Sequence, residues 1–406
     1  VADPISIAVA DPGTKAAAGA GCACRSYRNG ITAIWSLSGN LSAFADLLLT
    51  RVQALDAGCV FVFHSQSFGD SATLLEALAD LPSTVALSGC SSSGEVTPDG
   101  LTEGGAVAIL LPRKYFTVAT AVLQNVSDSG MGQIVEQVQK LKRELSVKTG
   151  SADFSQSFAI NLIDGLSYSE EAVTAAMHSA LVDIPLVGGS AGDDLQFNNT
   201  TQIHQNQIYN NSAVLTLVHS HIPFRTFTNN NFVPTEYKLI VTASDPDHRN
   251  VQEFNGEPAA VAYARVIGLD PNSLNPASFA SHPVVVKVGG EYYCRSIQKC
   301  EDDHSLTFFC AIDNGIVLTV AKPTGMVKST EKILASIGQD LGEINMILGF
   351  DCILRRLDAS NRDTLNNISR VYADANVVGF GTYGEQFNSM HINQTFTGVA
   401  FGSKPE

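Results

Sequence analysis

The residues that offer chemistry in this chain gather in glycine-rich turns and in a few isolated charged and imidazole side chains. Gly188, Gly189, Ser190, Ala191, Gly192, Asp193 and Asp194 are consecutive. They follow neither G-x-x-x-x-G-K-[ST] nor G-x-G-x-x-G, and two acids would repel phosphate, so a phosphate cradle is not indicated. Successive backbone N–H groups in such a turn form a nest that suits a carboxylate. The competing reading is a tight turn whose glycines permit positive φ. Ser88 to Glu95 makes a second small, polar turn, with Gly89, Cys90, Ser91, Ser92, Ser93 and Gly94 between. A serine nucleophile needs a G-x-S-x-G elbow and a base, and neither turn has that spacing. Nothing beside Cys90 lowers its pKa. A hydrolase using Cys90 or Ser190 is kept only as an alternative.

The nine histidines fall in no H-E-x-x-H pattern. His219 and His221 would turn both rings to one face of a strand end, where a solvated turn is the rival reading. His391 lies just before the last apolar run, with Met390 and Ile392 on the opposite face, and is expected to touch a ligand; a hydrogen-bonded structural histidine is the rival. Tyr383 and Glu385 flank Gly384 after a buried strand and bring an aromatic face, a hydroxyl and a charge. Arg295 ends an alternating strand and can take a carboxylate bidentately, against a salt bridge to the surplus acids. The expected ligand contacts are Cys90, Ser91, Gly189, Ser190, Asp193, Asp194, Arg295, Tyr383, Glu385, His391 and Asn393.

The elements that must position these groups read as alternating helices and strands in the first half. Helical spacing of Leu41, Phe44, Leu47, Leu48 and Val52 predicts a helix over 40–56, with Asn40 as N-cap and a buried strand at 59–63 after it. Helices over 72–81, 130–148 and 169–181 and strands over 85–90, 106–111, 116–123, 158–162 and 185–189 continue the order. Beyond about residue 203 the chain becomes strand-rich, with strand character over 207–218, 224–228 and 237–243. A helix over 257–267 follows, then strands at 284–288, 291–295, 306–309 and 316–320, with hairpin turns expected at Gly289-Gly290 and Asn314-Gly315. Helices over 329–341 and 359–374 and strands over 346–351, 377–381 and 394–401 close the chain. The fold class is α/β (α+β): mixed sheets with flanking helices first, a more antiparallel part second. The expected division is an arm and first helix over 1–54, an N-terminal domain over 55–250 and a C-terminal domain over 251–406, cut near 245–256. Residues 16–23 are expected to be a loose arm or a short edge element. The turns in 87–95 and 186–194 share one order, strand, glycine, then Ser- or Asp-rich turn, which suggests duplication. Gly379 to Glu385 adds a third such turn.

At 406 residues the chain has room for two or three domains, and 45% hydrophobic with 16% charged residues excludes a disordered polymer. A net charge of −15 argues against nucleic acid and anionic membrane surfaces as partners. Eight scattered cysteines, with one C-x-C pair at Cys22 and Cys24, are expected to be reduced thiols of a cytoplasmic protein. Neither a signal peptide nor a spanning segment is expected.

These same residues resemble a known family. The run from Gly188 to Phe197 is similar to the signature of FIST sensory domains. Phe232-Val-Pro-Thr235, Asn255-Gly-Glu-Pro-Ala-Ala260, Tyr263 with Arg265, His282-Pro283, Gly289 to Tyr293, Arg295-Ser296 and Phe350-Asp-Cys352 continue the pattern in order. Tyr383-Gly-Glu385 and His391-Ile-Asn-Gln-Thr395 close it, so the likeness covers about residues 55–402. The resemblance implies a non-enzymatic bacterial or archaeal sensor with FIST N and FIST C parts that binds a small ligand. It extends to the haem-binding, nitric-oxide-sensing NosP branch, which implies haem b and regulation of a partner histidine kinase or cyclic-di-GMP enzyme. His391, His204 and His282 are then the candidate axial ligands; the stretch before the F-V-P-T motif, where the family often has a histidine, has none here. The alternative ligand is an amino acid, with Arg295 on its carboxylate and Asp194 or Glu385 on its amine. The pocket is expected where the glycine turns meet the segment from Tyr383 to His391. A homo-oligomer is compatible with all of these readings.

Overall fold

The computed structural model describes residues 15–18, 21–37 and 39–403. Three stretches of the chain fold the same way. The first runs through strand Thr32–Ser36, helix Leu41–Ala54, strand Ala57–His64, helix Ser71–Ala77 and strand Ala86–Ser91. A hairpin of Glu95–Thr97 and Gly100–Thr102 and a closing strand Ala106–Pro112 complete it. The second repeats this order with Phe116–Gln124, Met131–Thr149, Ser157–Ile163, Glu170–Leu181, Leu186–Ser190, the hairpin Gln202–His204 and Gln207–Tyr209, and Ser212–Ser220. The third has strand Phe224–Asn230, helix Met326–Leu341, strand Met346–Cys352, helices Ile353–Asn361 and Leu365–Asp374, and strand Val377–Thr382. It ends with the hairpin Glu385–Phe387 and Met390–Ile392 and the strand Thr395–Phe401. In each unit the long strands lie in the order first, closing, second, third, and the second and third are parallel.

No unit keeps its own hairpin. The first unit's hairpin pairs with strand Val377–Thr382 of the third, the second's with Ala86–Ser91 of the first, and the third's with Leu186–Ser190 of the second. At the crossing point the three turns bond in a cycle. Ser93 N donates to Gly381 O at 2.9 Å, Gly192 N to Ser91 O at 3.2 Å, and Tyr383 N to Ser190 O at 3.1 Å. The return bonds run from Gly381 N to Gly94 O, from Ser91 N to Thr201 O and from Ser190 N to Gly384 O.

The sequence explains why the strands can sit so close. Gly89, Gly188 and Gly379 occupy equivalent places, each beside the preceding parallel strand. A Cβ there would lie 2.2 Å from Val62 O, 2.0 Å from Asn161 O and 1.8 Å from Gly349 O, respectively. The strands are continuous apolar runs because both faces are covered. Their inner faces share one core that includes Phe61, Phe63, Ile160, Leu162, Phe350 and Phe380, with Phe63 stacked on Phe380 at 4.3 Å. Their outer faces are covered by the helices in three separate cores. The helical stripe Ile134, Val138, Leu141 and Leu145 is buried as its spacing predicts.

Residues 232–323 are inserted between the first strand and first helix of the third unit and form an antiparallel β-domain with helices Ala259–Ile267 and Pro276–Ser281. Its own core includes Leu239, Phe254, Tyr263 and Phe308. The 245–256 stretch carries the turn between strands Phe232–Asp245 and Asn250–Phe254 of this insert.

The mixed α/β class holds, and several expectations need correction. Gly289-Gly290 is a hairpin turn with φ of 59° and 95°, but Asn314-Gly315 is not, since Leu306–Phe308 and Val317–Pro323 pair with other strands. The helix expected over 359–374 is two helices, interrupted where Asp363 takes φ 54°. The run 207–218 breaks at Asn211, φ 44°, into a hairpin arm and a long strand. Lys15–Ala18 is an edge strand against Cys22–Ser26; the rest of the expected arm, 1–14 with 19–20, lies outside the described residues. The eight cysteines, all among the described residues, form no disulfide.

Gly379→Ala is expected to lower the urea midpoint, with a loss of roughly 3 kcal/mol or more, because the new methyl group meets backbone. Gly132→Ala, in an open helical position, is expected to gain about 0.5–1 kcal/mol. Matching midpoints for the two variants would overturn this account.

Candidate functional site

The internal repeat supplies its own control for locating a site. In the second unit's sheet, Asn161, Gly188, Gln386 and His391 stand in register across four strands. The equivalent row of the first unit is Val62, Gly89, Ile203 and Ile208. In the third it is Gly349, Gly379, Val96 and Leu101. Two rows are therefore apolar, packed beneath their helices except at the exposed Ile208, and one is polar. The helix Glu170–Leu181 packs against strands Leu186–Ser190 and Met390–Ile392 of the polar sheet.

Asn161, Gln386, His391 and Asn393 are all buried. The Gln386 side-chain amide donates to Ser190 Oγ at 3.0 Å and lies 3.2 Å from His391 Nδ1. With Nδ1 accepting, the imidazole proton sits on Nε2. Beyond these bonds, both polar atoms of the Asn161 side chain, Gln386 Oε1, His391 Nε2 and Asn393 Oδ1 have no partner among the described residues. The hydroxyl of Thr174, buried on the covering helix, has none either. Each such atom costs about 1–3 kcal/mol of desolvation. A fold that only needed stability would place the apolar residues of the sister rows here.

Charged groups surround this row. Arg249, from the insert, is buried and donates to Glu170 at 2.5 Å, to Glu171 at 2.8 Å and to Phe309 O at 2.6 Å. Glu171 also accepts from Ala311 N at 3.2 Å. Burial raises the Glu171 carboxyl, but the charges of His391, Arg249 and Arg295 more than reverse it. Burial lowers the His391 imidazole against the pull of Glu171 and Glu170. The Arg249 guanidinium, 2.8 Å from Glu171, favours the charged form of that carboxyl. Arg295, half-buried, donates to the backbone oxygens of His391 and Cys294, both at 3.3 Å. Among the described residues none of its bonds goes to a carboxylate.

The structure gathers Ser190, Arg295, His391 and Asn393 and sends the other expected residues elsewhere. Cys90 lies in the shared inner core, where burial pushes its thiol well up. Ser91 Oγ accepts from Thr201 N at 3.1 Å, and a Cβ on Gly189 would meet Thr382 at 2.5 Å. Asp193 accepts from the backbone of Phe197, Asn198 and Asn199 and from the Tyr383 hydroxyl, while the Tyr383 ring stacks on Phe197 at 4.9 Å. These two residues tie down a loop. Asp194 accepts from Ser65 at 2.7 Å on the first unit, and burial raises its carboxyl. Glu385, next to Gln386 on the opposite face of the strand, is bonded by Thr382 and Thr395, and burial pushes its carboxyl to about 8. Glu95, its counterpart in the first hairpin, is pushed to about 7 in the same way. His204 sits on a different sheet, and His282 Nδ1 lies 3.1 Å from Ser278 O. The three histidines do not converge, and among the described residues no group of three His, Cys, Asp or Glu side chains is placed to hold a metal ion.

Sequence reading missed Asn161, Gln386, Glu170, Glu171 and Arg249. One sign was present: Asn161 interrupts the apolar run from Phe158 to Ile163.

Residues 58–257 match the FIST N domain, and residues 259–388 match the FIST C domain. The chain belongs to the FIST family. FIST domains imply a sensory role with a small bound ligand, and the polar row bridges the two matched regions, since Asn161 and Gly188 lie in the first and Gln386 in the second. The chain is 20% identical over 358 residues to the uncharacterized protein MJ1623 of Methanocaldococcus jannaschii, covering 78% of this chain and 67% of that one. It is similar, at TM-score 0.36 and 11% identity, to a solved structure titled "Cyanuric acid hydrolase: evolutionary innovation by structural concatenation", over 92% of this chain and 99% of that one. No helix among the described residues of the FIST chain is long and apolar enough to cross a membrane.

Arg249→Met is expected to destabilise by about 3–5 kcal/mol, because Glu170 is left buried and unpaired. Adding Glu170→Gln is expected to restore most of that loss in a denaturation series. Glu385 makes a separate pH prediction. Its carboxyl titrates at the ordinary 4.5 when unfolded and at about 8 when folded. Its contribution is complete below pH 4.5 and is lost as pH rises through about 8. Thermal midpoints are expected to fall across that window, and Glu385→Gln to flatten the slope; an unchanged slope would contradict the assignment.

Proposed function

We propose that this FIST chain is a non-catalytic sensor that takes an amino acid or similar small metabolite at the polar row. The carrying observation is the contrast between the three equivalent rows, only one of which buries polar atoms without partners. Arg295, bonded only to carbonyls, supplies donors for the ligand carboxylate. Glu171, paired with Arg249 and 30% exposed at its side chain, supplies the acceptor for an ammonium group. His391 offers its Nε2–H between them and the buried amides.

A haem reading suits these residues less well. Iron ligation needs an accessible imidazole edge beside an apolar slot. Around His391 stand the polar or charged Gln386, Asn393, Glu171 and Arg295 rather than an apolar slot. A hydrolase is not favoured either, because the Cys90 thiol is raised by burial and the Gln386 amide, rather than a base, holds Ser190 Oγ. In this reading the recipient of the signal is a separate output protein, a histidine kinase or a cyclic-di-GMP enzyme. The inserted β-domain, joined to the site by Arg249 and Arg295, is the part placed to respond to the ligand.

A thermal-shift screen of the amino acids tests the proposal. A ligand at about 100 times its Kd is expected to add ~2.7 kcal/mol of stability, and Arg295→Ala to remove the shift while leaving the unliganded midpoint nearly unchanged. No shift with any amino acid would reject it. Haemin titration of the wild type is expected to give no Soret band that His391→Ala abolishes.

A further inference from the structure

We infer that the ligand presents an amide-type edge, a C=O and an N–H side by side, to the unpaired side-chain amides of Asn161 and Gln386. The inference rests on the preceding assignment of the polar row as the ligand site and specifies what the buried end of that site reads.

The argument follows from the inventory of unpaired groups. Asn161 has both its oxygen and its NH2 unbonded, and Gln386 has its oxygen unbonded because its NH2 is held by Ser190 and lies against His391. An unpaired primary amide is complementary to another amide edge, which satisfies donor and acceptor together in a bidentate pair. A carboxylate would meet the oxygens of Asn161, Gln386 and Asn393 with no donors of its own. An ammonium group would leave the Asn161 NH2 unpaired. An alkyl chain would leave every one of these atoms unpaired and keep their desolvation cost. The charged residues of the site, Glu171, Arg249 and Arg295, come from the covering helix and the insert rather than from the row itself. The buried end is therefore neutral, with acceptors outnumbering donors, and that composition matches a carboxamide or ureide group. For an amino acid ligand this singles out a side chain ending in a carboxamide, as in glutamine or asparagine.

The repeat indicates which substitutions the fold tolerates. Val62 stands where Asn161 stands, and Ile203 where Gln386 stands, each packed in the first unit's outer core. Asn161→Val and Gln386→Ile install the sister residues at their equivalent places. Asn161→Val is expected to fold with a thermal midpoint equal to or above the wild type, and Gln386→Ile to fold with a lower one, because it also releases Ser190 Oγ and His391 Nδ1.

The experiment is isothermal titration of the full chain and both variants with L-glutamine, L-asparagine, L-glutamate, L-norvaline and propionamide. The wild type is expected to bind glutamine or asparagine at least about tenfold more tightly than norvaline or glutamate. Each variant is expected to lose that preference while staying folded. Amino acid binding with no preference for the carboxamide would overturn this inference and leave the proposed function standing. Propionamide binding without amino acid binding would support the inference and reject the amino acid reading. A carboxamide preference that survives in both folded variants would remove Asn161 and Gln386 from recognition and overturn the inference. Should one variant fail to fold, the other decides.

Discussion

Six backbone hydrogen bonds at the crossing of three turns govern this architecture. Ser91, Ser93, Ser190, Gly192, Gly381 and Tyr383 give their N–H groups to one another's units in a cycle, so that each unit is both donor and acceptor to a neighbour. Buried N–H and C=O groups must be paired, and in each unit the third strand finds its second neighbour only in a hairpin donated by another unit. One unit alone would expose that edge along with its face of the inner core. The glycines that let the parallel strands approach, and the phenylalanines that fill the space between the sheets, are consequences of drawing three strand ends to one point.

On that near-symmetric frame the exceptions carry the information. Two sheets present apolar rows to their helices, and the second presents Asn161, Gln386 and His391. The insert is the other departure, and it lies against the same sheet through Arg249 and Arg295. The polar row and the added domain coincide in space although they are far apart along the chain. The proposed function accounts for that coincidence, since it puts the ligand beside the added domain.

Much of this was readable from the sequence, for local reasons. The glycine turns, the apolar strands between amphipathic helices and the strand-rich second half all follow from period and turn chemistry, and the nearness of the Gly188 turn to the His391 segment was anticipated. The shared order of the turns in 87–95 and 186–194 suggested duplication, but the third copy was hidden because 92 inserted residues, 232–323, separate its first strand from the rest. The site was less legible. Asn161, Gly188 and Gln386 form a row only through the register of strands that meet by hairpin exchange, and no local pattern encodes that pairing. Glu170 and Glu171 looked like ordinary first-turn acids on a helix, because the partner that gives them a different task, Arg249, arrives from the insert. Asp193, Tyr383 and Glu385 looked like ligand contacts for the opposite reason: each has the right chemistry and uses it on a neighbouring loop or strand.

The hairpin exchange has a further consequence. Three separate copies of one unit, passing hairpins around a ring, would make the same object as a trimer, and every change in its gene would then appear three times. With all three written into one polypeptide, a residue can change in one place while its two counterparts go on serving the scaffold. Asn161 can be an asparagine because Val62 and Gly349 are free not to be.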